Sequence, residues 1–264
     1  MSELSIDEAK ACCATGYGGE VATFLLGDNF HPGGESLTRS LVRQLALGAG
    51  DLLVDVASGR GGSAIIAARE TGCRVLGIDL SDQNVALAEA RAAEAGWAPS
   101  VTFACADAER LPVGDADAAA VLCECALCLF ADKEGAVAEF ARVLRPGGRL
   151  ALSDMVTVPH RLPEELRGLA GWVSCVADAR PLDEVVALLD GAGFVVSARE
   201  RHDAAVGELL DRVEARLRLA RVALSGASQV RELAPRGLEL VRTAREALAD
   251  GALGYCSILA HLPA

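Results

Sequence analysis

Apolar residues along this chain gather in short runs, and segments with helical spacing separate most of these runs. The runs predict six strands, at 51–56, 74–79, 101–104, 118–123, 148–155 and 194–200. Helices are predicted at 63–70, 81–95, 136–144 and 182–191. Strands and helices in regular alternation predict a parallel sheet that is covered by helices on both faces.

The two ends of the chain depart from this alternation. Residues 1–45 hold a Gly- and Pro-rich loop followed by helical spacing, which predicts an N-terminal cap or lid. The core is expected at 46–203, a helical insertion at 204–251 and a last core strand at 252–264. Within the insertion, the second helix is expected to break near Pro235. The predicted fold is therefore α/β, Rossmann-like and doubly wound, with a mainly parallel seven-stranded sheet.

Bulk composition limits the partners. The 264 residues are 52% hydrophobic and carry a net charge of −12, which argues against nucleic acid because phosphate contacts need clustered Lys and Arg. No apolar run reaches the roughly 20 residues that a membrane helix needs. Residues 1–8 are acidic and lack a signal-peptide core. We therefore expect a cytoplasmic protein with a small-molecule substrate, whose nine cysteines are reduced thiols.

The most informative motif follows the first predicted strand. It has the pattern D-x-x-x-G-x-G, with Asp55, Gly59 and Gly61 at the fixed positions, and Asp79 ends the next strand. Glycines let backbone approach a ligand closely, and a carboxylate at the second strand end can accept two ribose hydroxyls. Ala64 is tolerated in dinucleotide motifs, so the glycines alone leave NAD open. Asp55 would repel a pyrophosphate and attract the cationic end of S-adenosylmethionine (SAM).

This motif, together with residues 105–112 and 144–150, resembles the class I SAM-dependent methyltransferases over about residues 45–194. Within that class the chain looks nearest to the arsenite methyltransferase-like and ubiquinone–menaquinone methyltransferase-like group. The resemblance implies SAM as cofactor, methyl transfer as reaction, and contacts between SAM and a defined set of residues. The set is Tyr17, Asp55, Ala57, Ser58, Gly59, Gly61, Asp79, Leu80, Asn84, Asp107, Ala108, Cys123 and Glu124.

Cysteines are the candidates on the acceptor side. Cys123, Cys125 and Cys128 fall at the end of the fourth strand, where strand alternation places the first two on one side. They are either small packing residues, as buried free cysteines usually are, or thiol ligands of an acceptor. The segment around Cys175 resembles the part of arsenite methyltransferases that carries a metalloid-binding cysteine, although the glycine-rich context there is missing.

The candidates are assigned as follows. Cys123, Cys125, Cys175 and His31 are the candidate catalytic residues, and His31 stands in the predicted lid. Cys12, Cys13, Cys128 and Cys175 are the candidate metalloid ligands.

Three functions remain open on the sequence. The first is methyl transfer from SAM to a small soft acceptor, such as a trivalent arsenical bound by thiolates. The second is methyl transfer to the C, N, O or S atom of an ordinary organic metabolite, with cysteines that only pack. The third is a metalloid-binding protein without catalysis on the same scaffold. The sequence does not reveal the acceptor atom or the oligomeric state.

Overall fold

The computed structural model describes residues 31–167, 175–176, 178–223 and 228–264. Its helices are α1 (Gly34–Gln44), α2 (Gly62–Thr71), α3 (Asp82–Glu94), α4 (Lys133–Val143), α5 (Leu182–Gly191), α6 (Asp203–Ala223) and α7 (Ser228–Ala249). Its strands are β1 (Leu52–Val56), β2 (Arg74–Asp79), β3 (Val101–Cys105), β4 (Ala118–Glu124), β5 (Leu144–Thr157), β6 (Val195–Arg201) and β7 (Leu253–His261).

The strands of the described residues form one sheet in the order β3-β2-β1-β4-β5-β7-β6. Pairing is parallel from β3 across to β5, whereas β7 runs antiparallel between β5 and β6. The predicted α/β, mainly parallel, Rossmann-like sheet is therefore confirmed. The domain limits drawn from the sequence stay predictions.

The order of the sheet positions the candidate site. Chain order reverses between β1 and β4, and ligands of such sheets bind beyond the carboxyl ends of the strands at this point. Val56 pairs with Ile78 on one side and with Cys123 on the other, so the carboxyl ends of β1, β2 and β4 lie level. Asp79 and Glu124, the last residues of β2 and β4, consequently flank the end of β1.

Two apolar clusters fill the two faces of the sheet, and successive strand residues alternate between them. Leu53 and Leu122 belong to the cluster beneath α1 and α2. Val54 and Cys123 belong to the other, which packs against α4 and α5. Small residues let the glycine turn approach the sheet, since a Cβ on Gly61 would lie 2.6 Å from the Phe103 ring.

One helix differs from expectation. We expected a break near Pro235, but α7 continues through that residue. Packing against α6 accounts for the continuity, because a Cβ on Gly237 would lie 3.0 Å from Leu217 of α6. Such close contact supports the backbone where proline removes a hydrogen bond. Among the described helices, none is both long and apolar enough to cross a membrane.

Candidate active site

The turn between β1 and α2 has the backbone of a ligand-binding loop. Ala57, Gly59 and Gly61 have φ values of 57°, 52° and 74°, in the left-handed region. This conformation is ordinary for glycine but strained for Ala57, and such strain accumulates at functional sites. The Ser58 amide donates to the Ile78 carbonyl oxygen at 2.9 Å, which fixes the turn against the end of β2.

Asp79 is held in place by its neighbours. Its Oδ2 accepts the Gly59 amide at 2.8 Å, and its Oδ1 accepts the Ser81 amide at 2.9 Å and the Asn84 side-chain amide at 3.2 Å. A carboxylate offers about four acceptor positions, so the fixed group can still receive hydroxyl donors. Leu80, beside it, is 41% exposed and offers an apolar surface next to these acceptors.

Three polar atoms near this turn are buried and have no hydrogen-bond partner among the described residues: Asp55 Oδ2, Ser58 Oγ and Asn84 Oδ1. Buried polar groups are nearly always satisfied, so orphaned atoms indicate a missing ligand or water. All three belong to residues expected to contact SAM. The donor set of the site therefore fits a nucleoside ligand with a cationic amino-acid end.

Asp55 is the most unusual of the three, because it is an almost wholly buried carboxyl group. Burial raises the pKa of its carboxyl well above the usual range, and the neighbouring carboxylates of Glu124 and Asp79 raise this pKa further. The Ala64 amide opposes the shift through a hydrogen bond. A cation placed against Asp55 would relieve this cost of burial.

The loop after β3 forms a further wall of the candidate site. The Ala106 amide donates to the Asp79 carbonyl oxygen at 3.0 Å, which joins this loop to the end of β2. Asp107 Oδ1 accepts the Glu109 amide at 3.0 Å, and Ala108 is buried. Asp107 and Ala108 thus stand at the strand end where the sequence placed adenine recognition, and that role remains a prediction.

Glu124 is the centre of a polar network. The Ser63 hydroxyl donates to its Oε2 at 2.6 Å, and the Thr38 hydroxyl lies 3.0 and 3.1 Å from its two oxygens. His31 Nε2 lies 3.8 Å from Glu124 Oε2 and 3.3 Å from the Thr38 hydroxyl. His31 Nδ1 is 3.0 Å from the Pro32 carbonyl oxygen, which can only accept, so Nδ1 carries a proton.

The structure thereby brings together two predicted residues, His31 and Glu124, and two that sequence reasoning missed, Thr38 and Ser63. Thr38 was the one polar residue on the inner side of a helical pattern, and it is wholly buried. That combination was the available signal, because a polar side chain on a buried helix face needs a partner.

A second cluster brings thiols together. The Cys175 thiol donates to the Cys125 carbonyl oxygen at 3.4 Å. Thiol hydrogen bonds also join Cys175 to the side chains of Cys125 and Cys128. Cys125 and Cys175 both have positive φ values, 55° and 60°. Two strained residues at one contact indicate a function for that contact.

Cys123 lies apart from this cluster. We expected Cys123 and Cys125 on one side of the strand, but Cys123 packs in the cluster against α4 and α5, whereas Cys125 packs against the opposite one. The regular alternation ends with β4 at Glu124, and the left-handed backbone of Cys125 turns its side chain across. The expected placement was therefore wrong.

Asp154 of β5 completes the thiol cluster. Its Oδ2 accepts the Cys128 amide at 2.8 Å, and its Oδ1 accepts the Met155 amide at 2.7 Å. Burial, and then the neighbouring Cys175, raise the pKa of Asp154 to about 7. Sequence reasoning missed this residue, because only the pairing of β5 beside β4 places it near the thiols.

The thiols of Cys123, Cys125 and Cys128 are neutral near pH 7. A hydrogen bond with Cys175, followed by burial, raises the pKa of Cys125 well above its usual range. Burial, followed by a hydrogen bond with Cys175, does the same for Cys128. Burial and the nearby Asp154 raise the pKa of Cys123.

Ser153 connects the thiol cluster to the last strand. Its carbonyl oxygen accepts the Cys125 amide at 2.6 Å, and its hydroxyl accepts the Tyr255 hydroxyl at 2.9 Å. Tyr255 is wholly buried in β7.

Some predicted residues cannot be placed. Tyr17, Cys12 and Cys13 lie outside the described residues. Within the residues that the structure describes, no group of three or more His, Cys, Asp or Glu side chains is arranged to hold a metal ion.

Known proteins resemble this chain in sequence. Residues 54–152 match the family model described as a methyltransferase domain. The arsenite methyltransferase of Halobacterium salinarum is 35% identical over 156 residues, which cover 56% of this chain and 38% of that protein. The 27-O-demethylrifamycin SV methyltransferase of Amycolatopsis mediterranei is 37% identical over 173 residues, covering 62% and 61%. The chain thus spans less than two thirds of either relative.

Solved structures resemble it in fold. Phosphoethanolamine N-methyltransferase 2 of Haemonchus contortus, in complex with SAM, has a TM-score of 0.79 at 21% identity, covering 100% of this chain and 61% of that one. The [4+2]-cyclase SpnF also has a TM-score of 0.79 at 21% identity, covering 98% and 97%. These likenesses support the fold. Residues 54–152 of the chain thus match a methyltransferase domain, on a fold that it shares with a methyltransferase solved in complex with SAM.

Proposed function

We propose that the protein transfers the methyl group of SAM to a trivalent arsenical that is held by Cys125 and Cys175. The observation that carries this proposal is the convergence of these two thiols, with Cys128 beside them, at the carboxyl end of β4. That strand pairs directly with β1, which carries the donor-binding turn. The thiols and the expected methyl donor therefore share one edge of the sheet.

Donor binding is supported by the residues around the glycine turn. Bound SAM would supply an electrophilic methyl group on a sulfonium. Asp79 is oriented to accept its ribose hydroxyls, and the orphaned Asp55 Oδ2 is suited to its ammonium. Positioning of this kind is the main task of a methyltransferase, because the reaction is an in-line displacement between two oriented groups.

The acceptor chemistry follows from soft sulfur ligands. Thiolates prefer soft thiophilic centres such as trivalent arsenic. When an arsenical with hydroxyl ligands binds, each of the two thiols replaces one As–O bond with an As–S bond, and its proton leaves with the displaced hydroxide as water. The neutral state of free Cys125 suits this exchange, because the ligand itself displaces the proton. The arsenic keeps its lone pair and needs no general base to attack a methyl group.

Methylation of arsenite in the presence of a small thiol, followed by mass spectrometry, tests the proposal. Cys125→Ala and Cys175→Ala are expected to lower the rate at least ~100-fold while SAM still binds, since catalysis requires both sulfurs to orient the acceptor. Cys73→Ala is the matched control, because Cys73 is buried just before β2, at the opposite end of the sheet. Wild-type rates in both active-site variants would refute the arsenical acceptor.

A second candidate function is methylation of a hydroxyl on an organic metabolite, and the Glu124 network favours it. Nε2 of His31, close to Glu124, is placed to accept the proton that such a hydroxyl loses. The relative from Amycolatopsis is by its name a methyltransferase of 27-O-demethylrifamycin SV, which supports this alternative. Activity on an organic acceptor that survives in Cys175→Ala and is lost in His31→Ala would favour it.

A binding protein without catalysis is the remaining candidate. Likeness to SpnF, a cyclase by its name, illustrates that the fold alone does not decide the reaction. Tight arsenical and SAM binding, with no methylated product from either acceptor class, would establish this outcome.

A further inference from the structure

Lys133 has an environment that is rare for a lysine. It begins α4, yet it is only 2% exposed. Its ammonium donates to the Phe130 carbonyl oxygen at 2.8 Å and to the Cys128 carbonyl oxygen at 3.4 Å, and it forms an ion pair with Asp178. The three donors of the ammonium thus have three acceptors, as burial of a charge requires.

Local structure does not explain the lysine. The first turn of a helix is the positive end of its dipole, where a cation is unfavourable. The cap of α4 is already supplied by Asp132, whose side chain accepts the Gly135 amide at 2.8 Å. A buried lysine is thus unfavourable at this position of the helix. We therefore look to its contacts to explain why it is there.

Those contacts join the two halves of the thiol cluster. The carbonyl groups of Cys128 and Phe130 belong to the turn that follows β4, the turn that also carries Cys125. Asp178 stands three residues beyond Cys175 in the other segment. Besides the contacts of the thiols, the side chain of Lys133 links these two segments directly.

The strained backbones at the thiols need such support. Cys125 and Cys175 hold left-handed conformations, which are strained for residues that carry a side chain. Strained conformations persist only where surrounding contacts enforce them. An ammonium that binds both segments supplies this enforcement from outside the thiol cluster.

We propose that Lys133 is a positioning residue, whose ammonium links the turn after β4 to Asp178 so that Cys125 and Cys175 can bind one arsenic atom. The proposal rests on the arsenical acceptor proposed above. Lys133 does not touch the acceptor and acts through the geometry of the two thiols.

Phenylarsine oxide, with two exchangeable bonds to oxygen, is the probe. Its reaction with two thiols forms two As–S bonds and releases its oxygen with both thiol protons as water. In the wild-type protein we expect an adduct across Cys125 and Cys175 that resists excess 2-mercaptoethanol and is removed by a dithiol. In Lys133→Met, a monothiol concentration at least ten times lower should remove it, because each sulfur then binds alone.

Arg180→Met is the matched control, since it removes an exposed ion pair, Arg180–Glu184, from the same segment. It should keep wild-type resistance. SAM affinity and the melting temperature are measured in every variant, so that loss of folding is separated from loss of chelation. Wild-type resistance in Lys133→Met would overturn the proposal. If that variant does not fold, Asp178→Asn takes its place. We expect an intermediate loss of resistance in this variant, and wild-type resistance would again overturn the proposal.

An arsenic-free measurement separates this inference from the proposed function. Diamide takes up two thiol hydrogens to become a hydrazine while two sulfurs join as a disulfide. We expect a disulfide between Cys175 and Cys125 or Cys128 to form at least ten times more slowly in Lys133→Met. Equal rates in the two proteins overturn the positioning role. If the wild-type protein binds no arsenical yet shows this rate difference, the acceptor proposal fails and the positioning role stands.

Discussion

The Cys175 thiol donates to the Cys125 carbonyl oxygen across fifty residues of sequence. Both residues have left-handed backbones, and the turn that carries Cys125 is bound to β5 through the Ser153 carbonyl oxygen. The contact therefore places a segment remote in sequence directly over the end of β4. We expect acceptor recognition to depend on this junction and donor recognition to depend on the turn after β1.

Donor binding should release a proton from Asp55. Burial beside Glu124 and Asp79 raises the pKa of this carboxyl, so it stays protonated at pH values well above its usual 3.8. A bound ammonium favours the ionised form, so affinity should rise with pH, by up to about tenfold per unit until the raised pKa is passed. Calorimetry of S-adenosylhomocysteine binding in buffers of different ionisation enthalpy counts the protons. The release should be absent from Asp55→Asn, and buffer-independent heats in the wild-type protein would contradict the prediction.

Asp79→Ala should weaken SAM binding by about 2 kcal/mol or more, the scale for losing charge-assisted hydrogen bonds. The variant also loses the bonds from the Gly59 and Ser81 amides that shape the turn. Asp51→Ala removes a carboxylate just before β1, at the other end of the sheet, and serves as control. A folded Asp79→Ala with wild-type calorimetric affinity would remove Asp79 from the donor site.

Gly77→Ala should destabilise the fold by about 1–3 kcal/mol, the usual cost of overpacking a core. A Cβ there would lie 2.8 Å from the Ser58 hydroxyl and within contact of the Phe103 ring. Phe103→Leu should recover part of the loss in the double variant, because it withdraws the ring. Urea denaturation measures both effects, and additive losses would show that the ring is not the obstacle.

Cys105 should react slowly with alkylating agents although it is exposed. A hydrogen bond to the Asp82 carboxylate, together with partial burial, raises its pKa to about 11. At pH 8 the reactive thiolate is then scarce, so Asp82→Asn should speed alkylation at least ~10-fold. Peptide mapping after timed iodoacetamide treatment gives the rates. Equal rates in the two proteins would mean that Asp82 does not control this thiol.

The positions of the candidate donor residues could be predicted because they depend on local sequence. Asp55, Gly59 and Gly61 lie in one turn, and the rule for parallel sheets adds Asp79 and Glu124 without knowledge of the full structure. The strands could be predicted from the hydrophobic runs for the same reason, because the burial of a strand is visible in its own residues.

The acceptor half could not be predicted to the same degree. Asp154 reaches the thiols only because β5 pairs with β4, and Thr38 reaches Glu124 from a helix 86 residues away. Strand alternation failed at Cys125 because a left-handed residue follows the strand. Pro235 failed to break its helix because tertiary packing outweighed local preference.

The place of β7 in the sheet has a consequence for how the protein is made. This strand enters between β5 and β6, although α6 and α7 precede it in the chain. A polypeptide emerging from the ribosome can therefore form the β1–β4 nucleotide half well before Tyr255 arrives to bind Ser153, the residue that anchors Cys125. Nascent chains would acquire the capacity to bind SAM first and the thiol junction last. The geometry that brings two thiols to one acceptor would thus be completed only after the last strand has been made.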